Sequence, residues 1–560
     1  MLKKLEKINP AFGLLCIGCL LGGLKNGWFV FPVGIMICML LGSRLRQSGR
    51  IYISRKFNIV YLLLLCLASV SVMTAVSRGD AVVGLLKLVI IGIYIVWCLQ
   101  MTEIEKTEAI ANIPKLGILV LVSSALLIFL PSYRDVVINR AGRLSGIFEY
   151  SNTLALIFLI SLATFFELED REHKATNREQ LLYFATMVFG ILWTGSRFTI
   201  VLTVIYLISL GIRHKRVNPV YILTAAIIVA FVVLYSRFTG DVRGIARIGT
   251  LFSNSSTLIG RVIYWKDGLQ TLLANPFGMG SMGWFLTQEA TQSAPYVTKF
   301  VHNSFLQMGL DYGIVFMVIT IGLALLSIIH ARKGFKTLLV IIYMHMFFEF
   351  DSEYMVVLFI VILFVESDWL GVKDIPFEPK RLYINGALTV IVLLFIWQSA
   401  FWLSVKANRL ESALKMNPES ILIETEVMTR EDDLDAKYRR AKHILTQNQF
   451  IGQAYDECAM YDSSKGQIVK LLKDGRRACK CQKYYMEAYG HYIILLENAY
   501  LSGDAETQKL AVRGMETVVK DLKKVEEDTD KLAYKTVDAP NFVLPYESVA
   551  ILNKHKITYD

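Results

Sequence analysis

Long apolar runs separated by short polar connections dominate the first 404 residues. Runs of roughly 15 to 22 residues suit a hydrocarbon core about 30 Å thick. They predict about thirteen spans, near 10–24, 27–43, 57–76, 81–99, 116–131, 153–167, 181–196, 198–212, 220–236, 303–329, 337–350, 354–369 and 383–403. One polar interval breaks the rhythm, the stretch of about 65 residues from Arg237 to Asn303. A loop that long in a compact membrane protein is functional or disordered. This one keeps aromatic and apolar residues at intervals, which predicts a segment folded over a site. After Ser404 the spans stop. Residues 405–560 are charged, with apolar residues at helical spacing and GDAE as a turn between two helices. The expected fold is all-α. A polytopic transmembrane bundle (1–404) carries a large external loop (237–303), and a soluble helical-repeat-like domain follows (405–560).

Composition sharpens this reading. Of 560 residues 54% are hydrophobic, and the mean hydropathy is +0.46, which excludes a soluble globular protein. The net charge of +11 does not indicate nucleic acid, because the basic residues sit in short loops between apolar runs. With Lys3, Lys4 and Lys7 placed inside, the inside loops and N-terminus hold about twenty Lys and Arg, against about six in the short outside loops. The positive-inside rule then places the N-terminus inside, and the long loop and C-terminal domain outside. The N-terminus lacks a small-x-small cleavage site and reads as an uncleaved first span. The eight cysteines have no metal-ligand spacing. Five lie in apolar runs, where cysteine behaves as a small hydrophobe.

The candidate chemistry lies at the outer surface. Arginine at a membrane boundary is costly and needs a reason. Arg197 sits in a tight hinge, WTGSRFTI, and Arg140 and Arg143 just precede a span. Each is a snorkelling side chain or an anion ligand. Arg261 lies in the first turn of an amphipathic stretch, and a guanidinium fork matches phosphate geometry. His302 lies where the long loop re-enters the membrane, followed by Asn303. A neutral imidazole there is placed to take a proton from a hydroxyl, or serves structure alone. FFEFDSEY puts Glu349, Asp351 and Glu353 at an outer loop near His345, where they solvate a helix end or bind a divalent ion. GMGSMG lacks the strand before it and the Lys-Ser/Thr after it that a phosphate loop requires.

These pieces, in this order, resemble the O-antigen ligase and O-antigen polymerase family of membrane glycosyltransferases. The resemblance covers roughly residues 140–355 and rests on RLSGIFEYSNTLA, GSR, GRVIYWKDGL, NPFGMGSMGWF, VHNSFLQMGLDYGI and HMFFEFDSEY. Ser151 stands where the family often has Pro, and Glu349 where Asp is common. The C-terminal domain resembles the tetratricopeptide-like extension of members from organisms lacking an outer membrane. The resemblance implies transfer of a glycan from an undecaprenyl-diphosphate carrier to a glycan or lipid hydroxyl, at the outer face of the cytoplasmic membrane. It implies inversion, and neither nucleotide sugar, cofactor nor metal. Arg197 and Arg261 would hold the leaving diphosphate, and His302 would activate the acceptor. Arg143, Asn152, Trp265, Asp267, Asn303, Glu349 and Asp351 would contact substrate, and the C-terminal domain would meet other assembly proteins. Two other readings compete. A transporter or flippase wants polar residues and broken helices at mid-membrane. A non-catalytic assembly scaffold does not need arginines and a histidine together outside.

Overall fold

The computed structural model describes residues 9–169, 176–214 and 256–559. The N-terminal lysines, the span expected at 220–236 and the first part of the long loop lie outside these residues. The membrane part comprises α1 (Pro10–Leu20), α2 (Gly27–Ser48), α3 (Arg55–Met73), α4 (Arg78–Leu99), α5 (Glu103–Ile128), α6 (Pro131–Val137), α7 (Ser151–Glu169), α8 (Asn177–Thr194) and α9 (Arg197–His214). After the undescribed interval come α10 (Ser256–Ala274), α11 (Gly283–Thr291), α12 (Ser304–Tyr312), α13 (Ile314–Ile329), α14 (Lys336–Phe348), α15 (Met355–Leu363) and α16 (Arg381–Lys406). Among the described residues, six helices are long and apolar enough to cross a membrane: α2 to α5, α7 and α16. The protein is an all-α polytopic bundle.

Three elements depart from the pattern read in the sequence. MTEIEKTEAIANIPK, expected as a loop, is the first half of α5. Thr102 and Glu105 form a reciprocal capping box that starts the helix at Glu103. Lys106, also in this half, is buried against Glu103 and Ser367. The expected span 303–329 is two helices broken at Gly313, whose φ of 99° only glycine adopts readily. The Gly-rich run causes the break. Met279 and Gly280 donate backbone hydrogen bonds to Leu310 and Asp311, and Ile314 donates to Pro276. A Cβ on Gly278 would lie 2.7 Å from the Asp311 carbonyl oxygen. The long loop is itself partly helical, as α10 and α11. The stretch 337–369 is, as expected, two helices parted by the polar turn 349–354, the second ending early at Leu363.

The two ends of the bundle differ. At one end β1 (Arg50–Ser54) pairs antiparallel with β2 (Val372–Pro376). Arg44 meets Glu105 and Arg332 meets Glu103, each at 2.8 Å. At the other end lie Lys25, the 139–152 turn, the Gly195 hinge, residues 275–303 and the 349–354 turn. Loop segments expected on one side of the membrane thus share one end of the bundle.

The remaining chain folds as α17 (Leu410–Met416), α18 (Ile421–Thr429), α19 (Leu434–Gln447), α20 (Gly452–Ser464), α21 (Ile468–Cys481), α22 (Met486–Ser502), α23 (Ala505–Asp528) and α24 (Tyr546–Lys554). Successive antiparallel helices bury Leu471, Tyr489, Ile493, Leu496 and Met515 in a core of their own. This domain is docked on the bundle. Ser420 donates to buried Asp80 at 2.8 Å, Asn417 donates to the Gly79 carbonyl at 3.1 Å, and Lys266 on α10 meets Asp530 at 2.5 Å.

Candidate active site

The turn between α14 and α15 aims Glu349 into the bundle end, where it is 1% exposed. Four donors converge on its carboxylate. Arg261 from α10 pairs with Oε1, and Asn152 Nδ2 donates to the same oxygen at 2.6 Å. Tyr150 donates its hydroxyl to Oε2 at 2.5 Å, and His302 Nδ1 lies 3.2 Å from that oxygen. Burial alone would raise the Glu349 pKa. The Arg261 guanidinium, with His302, overcomes it and holds the carboxyl well below the usual carboxylate range. Burial and the adjacent Glu349 charge both push the Tyr150 hydroxyl up, so it stays a donor.

An ionised carboxylate on Nδ1 assigns the imidazole proton to that nitrogen and leaves Nε2 as the acceptor. Backbone geometry assists. His302 and Glu149 have φ of 53° and 57°, a left-handed conformation that costs free energy in a non-glycine residue. Trp265 donates its indole N–H to the His302 carbonyl at 3.1 Å, and Asn303 caps α12 through Leu306 N at 2.9 Å. Arg143 extends the network, donating to Asn152 Oδ1 at 2.6 Å and to the Thr194 carbonyl at 2.7 Å. Arg197 starts α9 three residues after Thr194.

Other expected residues sit beside this centre. Asp351 is fully buried between His345 Nδ1 at 2.6 Å and the Thr153 hydroxyl at 2.7 Å. His345 Nε2 in turn meets Thr199 at 3.0 Å. Asp267 ties the long loop to α10, accepting from Ser293 N and the Tyr296 hydroxyl, both at 2.9 Å. The three acids Glu349, Asp351 and Glu353 do not converge. Each faces its own basic partner, respectively Arg261, His345 and Lys87, which removes the divalent-ion alternative for that trio.

Sequence reasoning missed the lysines. Lys25 Nζ lies 5.9, 5.6 and 5.4 Å from the ring centroids of Phe300, Phe350 and Tyr354. Burial, reinforced by Lys299, pushes its pKa down to about 8. Burial and then Lys87 lower that of Lys299 as well. Lys87 meets Glu353 at 3.2 Å. The Phe350 ring touches both sets, since its centroid is 5.1 Å from that of His302. The only sequence signal for Lys25 was a lone cation between two apolar runs. At this mouth begins a groove of about 400 Å³, lined by Lys87, Asp311 and Glu353. It runs between apolar side chains such as Tyr61, Ile91, Phe305 and Leu358 to Lys56 and Trp369 near the β-ribbon.

The fold is that of an all-α, multi-pass membrane protein, with a buried Glu–His–Arg centre at one end beside a long apolar groove. Residues 182–321 match the family model described as O-antigen ligase, which bears out the resemblance to that family; the match does not reach the C-terminal domain. That match supports a membrane glycosyltransferase-like role in polysaccharide assembly. Neither the curated proteins nor the solved structures give a match.

Proposed function

We propose that this protein transfers a glycan from a polyprenyl-diphosphate carrier to an acceptor hydroxyl at the outer face of the cytoplasmic membrane. The observation that carries the reading is His302 held by an ionised, buried Glu349 beside a cationic mouth of a long apolar groove. The carrier's tail lies in the groove. Its diphosphate sits at the mouth, between Lys25, Lys87 and Lys299 on one side of Phe350 and the Arg261 and Arg197 side on the other. Positive charge fixed before the reaction stabilises the charge that develops on the leaving oxygen.

His302 Nε2 takes the proton of the acceptor hydroxyl. The acceptor oxygen forms its bond to the anomeric carbon from the face opposite the diphosphate. The bond from that carbon to the diphosphate oxygen breaks, and its electron pair leaves with the carrier, so the anomeric configuration inverts. Glu349 keeps the imidazole oriented and compensates the imidazolium that forms. Asn152, Arg143 and Trp265 hold this arrangement and line the space for sugar. Asp267, Asn303 and Asp351 shape its walls. In this reading the N-terminus is inside, and the C-terminal domain, on the same end as the site, is outside.

The test is transfer from a purified polyprenyl-diphosphate oligosaccharide by the protein in lipid nanodiscs. Wild type should release carrier diphosphate in step with new glycosidic bonds, and His302→Ala should do neither. Equal transfer by both would overturn the reading.

A further inference from the structure

The C-terminal domain holds 24 Lys and Arg against 25 Asp and Glu over residues 405–560, so it is close to neutral. Its charge is nonetheless sorted. A cleft of about 540 Å³ between α21, α22 and α23 is lined by Lys473, Arg476, Arg477, Lys480 and Arg513. Four of these stand on α21 at spacings that place them on one helix face, where like charges repel. Arg476 is compensated by a two-point pair with Asp521, at 2.6 and 2.9 Å. Among the described residues, Lys473, Arg477, Lys480 and Arg513 have no ion-pair partner. These cations are exposed to solvent, so the cleft presents a concentrated positive charge that an anionic ligand can reach.

The cleft is built rather than incidental. Its floor is Tyr492, 2% exposed, whose hydroxyl donates to the Leu472 carbonyl at 3.2 Å. Gly475 lets that ring lie on α21, where a Cβ would come within 2.3 Å of it. The helix that carries the cations is also docked on the loop that forms the candidate active site. Lys483, just past α21, reaches the Gln292 carbonyl at 3.5 Å, and α11 packs against α21.

We propose that this cleft binds an anionic glycan strand, one whose units carry carboxylate or phosphate groups, as the growing or acceptor chain. The proposal rests on the glycosyltransferase reading above and adds the charge of its polymer. Lys473 and Lys480 are separated along the helix by about 10 Å, at roughly 1.5 Å per residue. That spacing lets cations meet charges on successive sugar units of an extended strand. A bilayer presents a plane of headgroups, whereas these cations line a recess with an apolar floor. An acidic peptide is the remaining alternative, and the test separates it.

Full-length protein in nanodiscs of neutral lipid is titrated with fluorescent oligogalacturonate, with a neutral maltooligosaccharide of equal length, and with a poly-glutamate peptide of equal charge. The anionic oligosaccharide should bind, more weakly as salt rises. The neutral one should not bind, and the peptide should bind at least tenfold more weakly. The K473Q/R477Q/R513Q variant spares Arg476. It should weaken oligogalacturonate binding at least tenfold at an unchanged unfolding temperature. His302→Ala should bind it as wild type does, so a failed transfer reaction leaves this measurement intact. Binding unaffected by the triple substitution, or equal binding of the neutral sugar, overturns the proposal. Equal or tighter binding of the peptide overturns it in favour of a protein partner.

Discussion

Replacing Glu349 with glutamine keeps the shape of the side chain and removes its charge. In the wild type four donors share two carboxylate oxygens, from Arg261 and Asn152 on one and Tyr150 and His302 on the other. Glutamine offers one acceptor oxygen and an NH₂, so one pair of donors must face another donor. Arg261, whose side chain is 13% exposed, is left as a buried charge without its counterion. Breaking such a pair by removing one partner costs about 3–5 kcal/mol. Total stabilities run to roughly 5–15 kcal/mol, so Glu349→Gln should lower the unfolding temperature visibly without abolishing folding. His302 also loses the anion that fixes its tautomer, and transfer should fall about 100- to 10,000-fold, the usual worth of general-base assistance. The double variant Glu349→Gln, Arg261→Gln separates the two effects. It removes the orphaned charge and should recover much of the stability, while transfer stays lost. The assays are thermal unfolding in detergent and glycan transfer in nanodiscs at equal protein. Transfer by Glu349→Gln within about threefold of wild type would show that the carboxylate does not serve His302.

Four further outcomes are expected. His302→Ala should lose transfer about 100- to 10,000-fold while binding the carrier lipid nearly normally, measured by carrier-lipid titration. Arg261→Lys should lose roughly 100-fold or more despite keeping its charge, because an ammonium cannot reproduce the guanidinium's contacts; Arg197→Ala should behave similarly, both read as kcat at matched membrane abundance. Lys25 has its pKa pushed down to about 8, so it loses charge as pH rises through that value. Carrier affinity should then weaken about tenfold between pH 7 and 9, the worth of one charge-assisted contact of roughly 1.5 kcal/mol, and Lys25→Arg should flatten the dependence in a binding titration. For topology, a cysteine in place of Tyr546, which is 89% exposed, should react with an impermeant reagent in intact cells. One in place of Lys373 should react only after permeabilisation, and the reverse result would invert the site.

Among the described residues, six of the expected spans are helices long and apolar enough to cross a membrane, and these were legible because a hydrocarbon slab demands a minimum apolar run. The departures came where backbone chemistry overrides that rule. The capping box at Thr102 starts α5 inside a polar stretch, and the Gly278–Asp311 contact splits an apolar run that looked continuous. At the candidate site, Arg261 and His302 stood out by their cost or placement near a membrane, and the structure brings them onto one carboxylate. That carboxylate had been read from the sequence as one of three similar acids. Only the turn 349–354, which sends each acid to a different partner, tells them apart. Tyr150 was invisible for the same reason, since a tyrosine before a span is ordinary until its hydroxyl is found on Glu349.

The β-ribbon at the far end joins residue 50 to residue 376, and α16 packs along α2, with Phe31 and Phe395 5.9 Å apart between ring centroids. The second and the last membrane helices of the bundle are therefore neighbours. A ribosome delivers them more than 300 residues apart. Until residue 406 has been inserted, β1 has an open edge and α2 shows lipid a face made for α16. Closure of the bundle thus waits until α16, ending at Lys406, has been made, and a chain stopped before α10 would present quality-control proteases with an unclosed bundle.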